Sequence, residues 1–209
     1  MTRRMVIAPH ADDESMGCGG LMAKYPEDWT VVLVAQPDQT RFGELMAAFV
    51  ELGGQQELVQ LNLPDGTVGR EPRWLVARLD ALLVDYQPDE LYLPWPGVHQ
   101  DHVAVYEAGM RAARLSMSSA HWCPPRVLVY DIPVYDLELY PTGLRWNVFE
   151  SLDVYEVNAK AAAVACYQSE VDEAPYFSTG QEVLETARAL GAQHGVSFAE
   201  RYALVRDVR

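Results

Sequence analysis

Three of the five histidines sit in two short acidic clusters, His10-Ala11-Asp12-Asp13-Glu14 and His99-Gln100-Asp101-His102. Two imidazoles and one carboxylate are a common facial set for a catalytic zinc ion, and His10, Asp13 and His102 supply such a set. Three protein ligands leave a fourth position for water. Zinc lowers the pKa of that water to roughly 7, so a nucleophile exists at neutral pH. The same donors could hold iron(II), and neither cluster contains a cysteine. The second carboxylate of the first cluster, Asp12, suits a general base that takes a proton from the water and delivers it to a leaving amine. His99 and Asp101 make a further pair. A carboxylate fixes the tautomer of an imidazole, and His99 could then stabilise the oxyanion of a tetrahedral intermediate.

Each cluster has a plainer reading. Acidic residues after a strand often form only a solvated helix start, and a histidine pair near a helix start often only caps it. Placement argues for more. Met5-Val6-Ile7-Ala8 is an apolar run bounded by Pro9, and residues 30–34, 57–61, 90–93 and 127–132 read as further strands. Between them lie helical patterns. One is a short helix near Leu21 to Lys24, after a glycine-rich turn, Gly17-Cys18-Gly19-Gly20. The next carries Phe42, Leu45, Met46, Phe49 and Val50 on one face, and a third carries Trp74, Leu75, Leu79, Leu82 and Leu83 and ends before Pro88. A fourth begins near His102 and runs to about Leu115.

Strand–helix alternation implies a parallel sheet covered on both faces. The fold class is therefore α/β, a Rossmann-like three-layer domain with strand order 3-2-1-4-5. In that order strands one and four are neighbours, the winding reverses between them, and ligands bind outside their carboxyl ends. Both histidine clusters follow those two strands. Beyond Pro133 the pattern loosens: residues 157–167 and 179–192 read as helices, and 198–205 as a last strand or ordered tail. The whole chain, 1–209, is read as one domain, with a core at 1–133 and an extension at 134–209 that completes the cleft.

Composition bounds the partners. The chain has 16 basic and 30 acidic residues, a net charge of −14, and too little basic surface for a nucleic-acid backbone. No apolar run approaches the roughly 20 residues of a spanning helix, and the run after Met1-Thr2-Arg3-Arg4 is too short for a signal peptide core. The three cysteines, Cys18, Cys123 and Cys166, read as reduced thiols, so a cytoplasmic protein is expected. A homo-oligomer stays open. The glycine-rich stretch contains no dinucleotide fingerprint or phosphate loop, which leaves close helix–sheet packing as its role. His121 and His194 have no acidic company and read as structural or surface residues.

The two histidine clusters, with Gly17-Cys18-Gly19-Gly20 between them, closely resemble the LmbE-like (PIG-L-type) N-deacetylases. The resemblance extends over most of the chain, through Arg41-x-x-Glu44, Leu63-Pro64-Asp65-Gly66 and Phe198-Ala199-Glu200-Arg201-Tyr202. It implies removal of an N-acetyl group from an amino-sugar conjugate, with zinc on His10, Asp13 and His102. Asp12 then matches the general acid/base, and His99 with Asp101 the oxyanion or proton-transfer pair. Arg41 and Asp65 fall where relatives contact sugar hydroxyls. Trp95, apart from the resemblance, reads either as a ring that stacks on the sugar or as core. Two departures stand out: Ala11 replaces the usual proline, and Gly97 stands where some relatives carry a catalytic tyrosine.

Two other classes share parts of this pattern. A receiver domain also places paired carboxylates after strand one. It needs an aspartate after strand three and a lysine after strand five, where this chain has Asn62-Leu63 and Pro133-Val134. A catalytically silent sugar-binding protein on the same fold would keep the metal ligands and lack turnover.

Overall fold

A computed structural model of the chain describes residues 1–132, 142–170 and 179–208. Pro133 and Val134 lie outside the described residues. The elements are β1 Arg4–Ala8, α1 Asp13–Lys24, β2 Trp29–Ala35, α2 Gln39–Glu51, β3 Glu57–Leu63, α3 Pro72–Tyr86, β4 Glu90–Pro94, α4 Gln100–Ala112, β5 Arg126–Tyr130, β6 Val148–Leu152, α5 Val154–Ala165, α6 Gly180–His194 and β7 Phe198–Asp207.

The sheet runs β3-β2-β1-β4-β5-β7-β6. Its first five strands are parallel in the expected order, and β7 joins β5 antiparallel, with β6 outside it. Every residue of β1 is buried, as a central parallel strand requires. Alternate residues feed opposite layers: Ile7 and Val32 meet Leu75, Leu79 and Val105 of α3 and α4, while Val6 and Val31 face Leu21 of α1 and Phe49 of α2.

Three expectations need correction. First, α1 begins at Asp13, well before Leu21, so Gly17-Cys18-Gly19-Gly20 lies inside a helix and is not a turn. Three glycines lower helix propensity, but packing decides here. A Cβ at Gly17 would come within 2.1 Å of the Tyr130 ring, and one at Gly20 within 2.4 Å of Leu152. Second, the buried face of α2 is Leu45, Ala48 and Phe49, whereas Met46 and Val50 are exposed. Trp74 of α3 is exposed too. Third, β6 had no counterpart in the sequence reading. It is an edge strand carrying Glu150 and Ser151, to which Lys24 of α1 bonds through Glu150 Oε1 and the Ser151 carbonyl.

Candidate functional site

The β1–α1 turn is wound tightly around its own polar groups. After Ala8 the chain passes Pro9, whose carbonyl accepts the N–H of Ala35, and presents His10. Asp13 opens α1, and its Oδ2 accepts the backbone N–H of His10 at 2.8 Å. Between them Asp12 has φ 140°, a region that L residues rarely adopt, at a cost of about 1–3 kcal/mol. The turn is held from several sides. The Asp12 N–H donates to Glu14 Oε2 at 3.1 Å. Arg41, from α2, donates through Nε to the Ala11 carbonyl at 2.8 Å and through Nη2 to Asp12 Oδ2 at 2.7 Å. Its Nη1 pairs with Glu170. Asp13 and Glu14 are buried, so the plain reading of a solvated helix start does not hold.

The second cluster arrives differently. His99 is the N-cap of α4, with ordinary extended backbone, and its Nδ1 accepts the Asp101 N–H at 3.2 Å. A ring nitrogen that accepts carries no proton, so the neutral ring donates through Nε2. The capping role weighed from the sequence is therefore real, and the Asp101 peptide, not the expected Asp101 carboxylate, sets the His99 tautomer. The Asp101 carboxylate accepts from Gly66 N at 2.7 Å and Val68 N at 3.1 Å, and its Oδ2 lies 3.4 Å from His10 Nε2. Asp101 thereby joins the Asp65–Gly66 turn to the first cluster.

The two clusters meet. Asp13 Oδ2 is 3.4 Å from His10 Nδ1 and 3.4 Å from His102 Nε2. The imidazole centroids of His10 and His102 stand 5.3 Å apart. Donors bound at 2.0–2.2 Å around a tetrahedral ion lie about 3.3–3.6 Å from one another, so both Asp13 contacts fit a shared cation. Among the described residues, donor atoms gather within 4.8 Å of one another in two sets, His10, His99 and His102, and His10, Asp65 and Asp101; Asp13 is in neither and adjoins both histidine clusters through its own two contacts. The Asp13 set is chemically the strongest. His99 already spends Nδ1 on the α4 cap, whereas Asp13 is an ionised carboxylate touching two imidazoles.

The electrostatics favour a cation. Burial works against a charged His10, but the hydrogen bond and charge of Asp13, with the charges of Asp65 and Asp12, outweigh it and raise the pKa to about 9. Burial likewise works against an ionised Asp13, and the facing His102 and His10 hold it down at about 2. His102 moves the other way: burial pushes its pKa down, toward the neutral form that binds metals, although Asp13 opposes this. Asp12 is pushed well up, by burial first and then by the Asp13 charge, with Arg41 opposing. Two neighbouring carboxylates pushed in opposite directions are suited to different tasks.

The remaining sequence candidates divide. The Asp65 side chain is 67 % exposed, and its Oδ1 lies 3.1 Å from His10 Nε2, so it faces the site from the solvent side. Arg41 is turned onto Asp12, Ala11 and Glu170. Trp95 is buried against Trp146 with ring centroids 4.5 Å apart, which makes it core rather than a sugar platform. Gly97 closes a tight turn onto the Trp95 carbonyl. Tyr130 and Tyr167 are buried nearby and direct their hydroxyls at the Ile7 carbonyl and at Glu14. Sequence reasoning gave no role to Glu14 or Tyr167. The only signal was an acidic residue following a paired-aspartate motif.

An uncharacterised deacetylase of Escherichia coli K12, YaiS, is 26% identical over 180 residues, covering 79% of this chain and 90% of that protein. Two solved structures share the fold. The N,N'-diacetylchitobiose deacetylase of Pyrococcus horikoshii aligns with a TM-score of 0.75 at 16% identity, over 98% of this chain and 84% of that one. The 4-carboxy-2-hydroxymuconate hydratase GalB of Pseudomonas putida KT2440 aligns with a TM-score of 0.76 at 17% identity, over 98% and 96%. Residues 5–113, just over half of the chain and both histidine clusters, match the family model described as PIG-L, GlcNAc-PI de-N-acetylase, and the chain belongs to that family.

Proposed function

We propose that the protein hydrolyses the N-acetyl amide of an amino-sugar conjugate of the GlcNAc type, with zinc held by His10, Asp13 and His102. The observation that carries this reading is the Asp13 carboxylate, 3.4 Å from an imidazole of each cluster at the switch point of the sheet. The family match and the diacetylchitobiose deacetylase fold support the substrate class.

When bound there, zinc supplies a Lewis acid and a nucleophilic water at neutral pH, and iron(II) could serve the same donors. The rest is done by side chains. Asp12, with its carboxyl pKa pushed up, takes a proton at Oδ and returns it to the departing amine. His99 donates from Nε2 to the carbonyl oxygen as negative charge develops there. Asp101 keeps His10 and the Gly66 turn in place. Asp65, exposed beside His10, is the better placed of the two sugar-contact candidates. Arg41 is turned onto Asp12 and keeps that carboxylate aimed.

No helix among the described residues is long and apolar enough to cross a membrane. The three cysteines are free, and we assign the protein to the cytoplasm on that basis.

The test is metal analysis followed by a panel of N-acetyl sugars, read by the appearance of a primary amine. Folded, metal-loaded Asp12→Ala should lose about 10²–10⁴-fold in turnover; wild-type turnover would sink the reading. One comparison supports a second reading. GalB carries the same fold, so addition of water to an unsaturated carboxylic acid belongs in the panel, read as loss of conjugated absorbance without amine release. Bound metal without turnover in either arm would favour a binding protein.

A further inference from the structure

Glu14 is a fully buried carboxylate to which the proposed reaction gives no part. Its Oε2 accepts the Asp12 N–H at 3.1 Å. Its Oε1 accepts the hydroxyls of Ser15 at 2.7 Å and Tyr167 at 2.6 Å. Tyr167 is 2% exposed and lies 153 residues along the chain, just beyond α5. A buried carboxylate is costly unless donors meet its lone pairs, and here one of the three donors is the peptide of the residue with φ 140°. The Asp12 carboxylate is tied separately, through Arg41, to Glu170. The short stretch from Tyr167 to Glu170 therefore reaches both the backbone and the side chain of Asp12, through one intermediary each.

We propose that Glu14 and Tyr167 are positioning residues for Asp12. The Tyr167 hydroxyl sets the Glu14 carboxylate, and that carboxylate holds the Asp12 peptide in the left-handed conformation that presents its side chain to the site. The inference rests on Asp12 being the proton-carrying residue. A merely structural role would cost stability and leave turnover alone. Positioning costs kcat and leaves KM and zinc content alone.

Two readouts test it. The first needs no substrate: in a crystal structure of zinc-loaded Glu14→Ala, Asp12 is expected to leave its positive φ and its carboxylate to move, and an unmoved Asp12 overturns the proposal. The second uses amine release from N-acetylglucosamine and N,N'-diacetylchitobiose. Glu14→Ala should lower kcat about 100-fold, the cost of a misplacement near 1 Å. Tyr167→Phe, which loses one hydroxyl, should lower it about tenfold. Glu14→Gln should recover most of the activity, because its oxygen can take the Asp12 N–H while its amide donates to the two hydroxyls. Should Glu14→Ala fail to fold, Tyr167→Phe and Glu14→Gln decide the matter. Wild-type kcat in Tyr167→Phe, or Gln as poor as Ala, overturns the proposal. Asp12→Ala separates the two levels. If it stays active, the reading of Asp12 fails. If it is dead while Glu14→Ala and Tyr167→Phe keep full kcat, only the positioning claim fails.

Discussion

The two loops that build the site are made in opposite ways. The β1–α1 turn holds a residue at φ 140° and surrounds it with the Arg41 guanidinium and two carboxylates, those of Asp13 and Glu14. The loop before α4 has ordinary extended backbone, and its histidine caps the helix as a serine or asparagine would. One loop is strained and braced from distant parts of the chain; the other is unstrained, its histidine capping the helix it opens. Strain persists only where surrounding structure over-determines it. The difference suggests that the first loop carries the orientation-sensitive proton transfer, while the second delivers a ligand and a donor from a rigid helix end.

That contrast can be broken by mutation, and the largest effect should come from the atom the loops share. Asp13→Ala removes the contact common to His10 and His102. Zinc affinity, measured by competition with a chromophoric chelator, should fall by more than about 100-fold, the upper range for loss of an outer-shell partner alone. Asp101→Asn, which weakens the carboxylate joining His10 to Gly66 and Val68, should cost about 10–100-fold in the same assay.

A third prediction concerns protons. In the metal-free protein at pH 7 His10 is protonated, since its pKa is about 9. Zinc must displace that proton. Apparent affinity should therefore rise about tenfold per pH unit and level off above the His10 pKa. Calorimetry in buffers of different ionisation heat should show the released proton. Stability of the metal-free fold follows the opposite course: the His10 contribution is complete below its unfolded pKa of about 6.5. It is lost as pH rises through the folded value of about 9.

The smallest effect should come from the unstrained loop. His99→Ala loses the α4 cap and should cost about 0.5–2 kcal/mol in denaturant unfolding. His99→Asn restores the cap and the stability but not the donor, so turnover should stay low. Restored turnover would mean that His99 acts only as a cap.

Much of this architecture was readable beforehand. Runs such as Met5–Ala8 and the β-branched stretch around Val31 and Val32 announce buried parallel strands, and right-handed crossovers then fix which neighbours they take. That was enough to bring His10 and His102 to one crevice. What escaped depends on contacts between residues far apart in the chain. Gly17 to Gly20 read as a turn because their helical role exists only against Tyr130 and Leu152. β6 carries polar residues whose partner, Lys24, is 126 positions away. Glu14 looked like one more solvated acid because Tyr167 has no sequence signature. The contacts of Arg41 with Asp12 and Glu170 likewise have no local signature, because Asp12 lies 29 positions away and Glu170 farther still.

The central claim is that Asp13 joins both clusters around one ion. Crystals grown with zinc and measured on either side of its absorption edge test this directly. The account predicts a single anomalous peak within bonding distance of His10, Asp13 and His102. A peak seated between His10, Asp65 and Asp101 with Asp13 unengaged, or no peak at all, would contradict it.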